Sequence, residues 1–79
     1  MARIQIETGH RNAQTEEYKG RTIEVATGYD AMSDKWPVHI YITRDGSRHK
    51  VEGRFLSDTE REAFDFGFAT AATEIDNEG

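Results

Sequence analysis

A chain of 79 residues has room for one domain, and a domain of that size buries only about 60% of the surface it exposes when unfolded, so its core must be thin. Hydrophobic residues make up 35% and charged residues 32% of the chain, but Trp36, Tyr41, Phe55, Phe64 and Phe68, with Ile and Val between them, are enough to exclude wholesale disorder. The absence of cysteine excludes a disulfide framework and a thiolate zinc site, no run approaches the roughly 18 to 20 apolar residues of a membrane helix, and a net charge of -5 argues mildly against general nucleic-acid affinity.

In chain order, Ile4 and Ile6 alternate with Arg3, Gln5 and Glu7, so residues 3–8 read as an edge strand. The same N-terminus lacks the apolar run of a secretory signal, which leads us to expect a cytoplasmic protein. Residues 9–17 are polar and read as a mobile loop. Lys19-Gly20 suits a tight turn, but residues 14–18 before it carry polar groups where core positions should fall, which argues against a strand there. Arg21 to Thr27 alternates cleanly, with Ile23 and Val25 inward, and residues 28–34 connect onward.

Asp45-Gly46 is the clearest local signal, because both central residues of a type I′ turn need positive φ. If Arg44 faces Ser47, Ile42 pairs with His49, Ile40 with Val51, Val38 with Gly53 and Trp36 with Phe55 on the buried face. Thr43 then pairs with Arg48, Tyr41 with Lys50 and His39 with Glu52 on the outer face. Pro37 sits near the strand start, where a missing N–H is tolerated. Downstream, Ser57-Asp58-Thr59-Glu60 matches a capping box with Ser57 as the cap, and a helix over 58–76 follows. Phe64, Gly67, Phe68, Ala71, Ala72 and Ile75 share the face assigned to the sheet. Gly67 costs about 1 kcal/mol against alanine in a helix interior, so its presence predicts a close approach of helix to sheet. Residues 77–79 read as a fraying end.

No constellation for catalysis emerges. His39 and His49 fall on opposite faces of the hairpin, His10 lies in the polar loop, and no zinc-type histidine spacing exists, so no metal or other cofactor is expected. His49 reads as a partly covered inward residue. Ser33, Ser47 and Ser57 are explained by turns and the cap, the carboxylates by a solvated helix face, and the scattered glycines form no phosphate-cradling loop. The expectation is that the protein is not an enzyme.

Two surfaces stand out. The outer sheet face gathers His39, Tyr41, Arg48, Lys50 and Arg54, flanked by Arg44, in a segment (35–54) of net charge +3, while residues 55–79 carry -6. Cations around an aromatic ring suit single-stranded nucleic acid, although one ring is fewer than sheet-based RNA binders commonly use. On the helix, Phe66 lies about 200° from Phe64 and points away from the core, flanked by Ala63, Ala69, Thr70 and Thr73. Either the N-terminal segment wraps the helix and covers Phe66 with Ile4, Ile6 or Tyr18, or Phe66, Thr70 and Thr73 meet a partner.

The run Trp36-Pro37-Val38-His39-Ile40-Tyr41-Ile42, then Asp45-Gly46, then a helix bearing Ala63, Gly67, Ala71 and Ile75-Asp76, resembles small uncharacterised bacterial domains built as a β-meander plus a C-terminal helix, over roughly residues 18–76. The resemblance implies fold and bacterial origin, and no assigned activity. The β-β-β-α order is also similar to the second part of a double-stranded RNA-binding domain, but Asp58-Thr59-Glu60-Arg61-Glu62 would turn negative charge toward phosphates.

The expectation is therefore an α+β two-layer domain over 1–79, with an antiparallel meander of three to four strands on one C-terminal helix. Its expected function is a non-enzymatic protein-binding or assembly module that meets an unknown protein or a second copy of itself and no membrane. The alternative is weak single-stranded nucleic-acid binding through the outer face of the 36–55 hairpin.

Overall fold

In chain order the elements are β1 (Ile4–Thr8), β2 (Arg11–Tyr18), β3 (Arg21–Thr27), β4 (Trp36–Arg44), β5 (Ser47–Lys50), β6 (Phe55–Ser57) and α1 (Glu60–Glu78). The computed structural model describes residues 4–8 and 11–78; the readings of Arg3 and His10 lie outside them. The strands form one antiparallel sheet in the order β1-β2-β3-β4-β5, with β6 on the same side of β4 as β5, and α1 covers one face. The protein is thus an α+β two-layer meander with a C-terminal helix. Two turns set its alignment: Lys19-Gly20 (φ 49° and 78°) closes β2 onto β3, and Asp45-Gly46 (φ 52° and 82°) closes β4 onto β5. Both have the left-handed pair that matches strand twist.

The core follows from alternation. Ile23 and Val25 on β3 and Val38, Ile40 and Ile42 on β4 meet Ala63, Phe64, Gly67, Phe68, Ala71 and Ile75 of α1. Thr27 is fully buried in the same row, where its hydroxyl donates to the Pro37 carbonyl at 2.7 Å. Ala63, expected beside Phe66 on the outer side of the helix, is fully buried. The close approach inferred from Gly67 is present: a Cβ there would lie 2.5 Å from Val25 Cγ1.

Three expectations fail, each for a physical reason. Residues 11–18 form a strand and not a loop, because α1 rests on β3 and β4 and does not need apolar residues from β2. The polar side chains of β2 on that face instead tie the helix at both ends, Asn12 donating to Glu60 at 2.7 Å and the Tyr18 hydroxyl to Asp76 at 3.0 Å. The hairpin register holds from Arg44–Ser47 to Tyr41–Lys50, and the Val51 amide still donates to the Ile40 carbonyl at 2.9 Å. Beyond it the chain bulges: Val38 pairs with Phe55 and Trp36 with Ser57, two residues later than expected. Gly53, at φ 139°, makes that bulge, and the Phe55 ring occupies the space where a Cβ at 53 would stand. A slip of two keeps side-chain parity, so Phe55 still faces inward. Finally, the helix cap is Thr59. Its hydroxyl accepts from the Glu62 amide at 3.1 Å, while Ser57 ends β6 and the helix runs two residues later than expected, to Glu78.

Candidate protein-docking surface

The outer face is built by the β4–β5 hairpin. Tyr41 stands opposite Lys50 and beside Glu24 of β3. The Arg48 guanidinium lies 4.0 Å from the centre of the Tyr41 ring and pairs with Glu24 at 3.1 Å. That stack satisfies the cation and covers one face of the Tyr41 ring. Next to it the 51–54 bulge opens a hollow of about 240 Å³ lined by His39, Lys50, Arg54, Pro37 and Leu56, among others. Lys50 and Arg54 make no ion pair among the described residues. Arg44 does not flank this face, because its side chain reaches Glu78 at 2.6 Å on the helix side. His49 is exposed and not partly covered, since α1 does not extend over β5. Ala13 and Ala26, register partners across β2 and β3, are buried.

The basic hairpin and the acidic helix partly neutralise each other within the chain. α1 has no basic residue in its last turn, so Asp76 and Glu78 stand at the negative end of the helix dipole. Lys19 reaches Asp76 at 2.6 Å, and Arg21 and Arg44 reach Glu78 at 3.3 and 2.6 Å. The bonds from Lys19 and then Tyr18 hold the Asp76 carboxyl below the ordinary carboxylate range, and the same pair raises Lys19. At the other end of the helix Lys35 pairs with Asp58.

A second surface surrounds β6. Tyr29 is 53% exposed, Met32 98%, Leu56 44% and Phe66 43%. The Tyr29 ring lies 5.7 Å from Trp36, Trp36 and Pro37 pair with Ser57 and Leu56, and the Phe66 ring lies 5.2 Å from Phe55. Tyr29, Leu56 and Phe66 therefore gather at one end of the molecule, with Leu56 on the outer side of β6 and Phe66 on the helix side, while Met32 stands in the 28–34 turn. The N-terminal strands extend the sheet beyond β3, on the side of β4 opposite β6, and the Tyr18 hydroxyl is bonded to Asp76 rather than placed over Phe66; the side chains of Ile4 and Ile6 lie outside the described ones. Thr70 is half-buried; Thr73 is exposed and its hydroxyl donates back to the Ala69 carbonyl at 3.0 Å. Sequence reasoning found Phe66 but missed Leu56, although alternation beside the inward Phe55 already turns it to the outer face.

Among the described residues no helix is long and apolar enough to cross a membrane, and no group of three or more His, Asp or Glu is placed to hold a metal ion. Comparison with protein-family models, with curated proteins and with solved structures returns no match.

Proposed function

We propose that this chain is a non-enzymatic docking module that meets another protein through the end bearing β6. The observation that carries the reading is the gathering of Tyr29, Leu56 and Phe66 around the end bearing the open edge of β6. Single exposed hydrophobics are ordinary on any protein. Several of them around an unpaired edge strand form the kind of surface that proteins otherwise shield, because an open edge recruits further strands.

The test is a photo-crosslinker, p-benzoyl-phenylalanine, at position 66 of the full chain in its native cells, with position 47 at the hairpin tip as the control. A discrete protein adduct at 66 and none at 47 supports the reading. The absence of any protein adduct at 66 overturns it.

A second reading, weak single-stranded nucleic-acid binding across His39, Tyr41, Arg48, Lys50 and Arg54, draws support from the hollow beside Lys50 and Arg54. Its difficulty is that a base stacking on that face of Tyr41 has to displace Arg48, which Glu24 also holds.

A further inference from the structure

We propose that the protein docked at β6 is a second copy of this chain, its β6 paired antiparallel about a twofold axis at Leu56. This rests on the reading of the β6 end as a docking surface.

The argument starts at Pro37. In an antiparallel pair, opposed residues alternately exchange both backbone hydrogen bonds or none. Pro37 has no N–H to exchange with its partner Leu56, and its carbonyl is turned toward β3, where it accepts from the Thr27 hydroxyl. The pair is therefore of the non-exchanging kind, and the amide and carbonyl of Leu56 project away from β4 to the open edge. No strand adjoins that edge among the described residues. A donor and an acceptor on one residue at an open edge are self-complementary: two copies related by a twofold axis exchange both bonds, Leu56 to Leu56.

The flanking residues agree with this register. Centring the pair on Leu56 sets Phe55 opposite Ser57 and Arg54 opposite Asp58 of the other copy, and the twofold axis makes each contact twice. Arg54 has no ion pair among the described residues, and Asp58 has an exposed carboxylate held by Lys35. The same arrangement accounts for both exposed side chains nearest the edge. The two Leu56 side chains meet on the outer face. The two helices fall on one face of the joined sheet, four strand spacings or about 19 Å apart, too far for helix backbones to touch but spanned by two Phe66 side chains pointing toward the seam.

Sedimentation equilibrium of the full chain from micromolar to millimolar concentration tests the proposal. The wild type is expected to dimerise. Leu56→Pro removes the donor at the open edge without removing a bond to β4, and should weaken the dimer at least about tenfold while helix content by circular dichroism stays constant. Arg54→Asp and Asp58→Arg should each weaken it by about tenfold through like-charge opposition at two symmetric points, and the double variant should restore it. A wild type that stays monomeric to millimolar concentration overturns self-pairing, as does a dimer indifferent to both Leu56→Pro and the charge exchange. A monomeric chain that still crosslinks through position 66 to a different protein removes self-pairing alone and leaves the docking surface standing.

Discussion

Gly67 of α1 stands so close to Val25 of β3 that a methyl group added at Gly67 would fall 2.5 Å from Val25 Cγ1 and 2.8 Å from Cγ2. Val25 is fully buried, so it has nowhere to retreat. Gly67→Ala gains helix propensity of about 1 kcal/mol but forces helix and sheet apart, at a cost of about 1–3 kcal/mol for overpacking. The expected outcome in urea denaturation is a lower midpoint for Gly67→Ala. Combining it with Val25→Ala should cost less than the sum of the two single changes, because they share one contact.

The cap assignment separates Thr59 from Ser57. Thr59→Ala removes the hydroxyl that accepts from the Glu62 amide and should cost about 1 kcal/mol. Ser57→Ala should cost less than half of that, since Ser57 lies in β6. Thermal melts of the two variants would decide between them, and the reverse order would return the cap to Ser57.

Asp76 carries a pH signature. Its carboxyl sits below the ordinary range because Lys19 and Tyr18 bond its charged form. A carboxylate depressed in the folded state stabilises the protein above its unfolded value, and that contribution disappears as pH falls through the folded value. Lys19→Ala should therefore move the Asp76 titration upward in carboxyl NMR and reduce the acid-side loss of stability. Both groups are exposed, so high salt should reproduce much of the effect in the wild type.

On the outer face, Arg48 is engaged by Tyr41 and Glu24. Short single-stranded oligonucleotides at physiological salt should leave the amide and ring signals of Tyr41 unmoved. Salt-sensitive shifts at Tyr41, Lys50 and Arg54 together would instead favour the nucleic-acid reading.

Much of this architecture is written locally. Lys19-Gly20 and Asp45-Gly46 specify their turns because few residues tolerate paired positive φ, and the alternation in β3 and β4 and the helical face from Phe64 to Ile75 are periodic over short windows. The polarity of residues 11–18 does not argue against a strand, because α1 packs on β3 and β4 and leaves β2 needing no apolar row. Nothing local says that α1 stops over β3, and so a strand bearing Asn12 and Tyr18 is sound as long as those groups reach Glu60 and Asp76. His49 is exposed for the same reason at the opposite edge.

By itself the sequence determined the turns, the inward rows of Ile and Val, and the presence of a C-terminal helix with Phe66 off its buried face, since these follow from backbone sterics and periodicity within a few residues. Only the tertiary structure decided the bulge at Gly53, the two-residue shift that sets Leu56 against Pro37, and the partner of each charge on the helix. Those depend on which segments, distant along the chain, come to lie side by side.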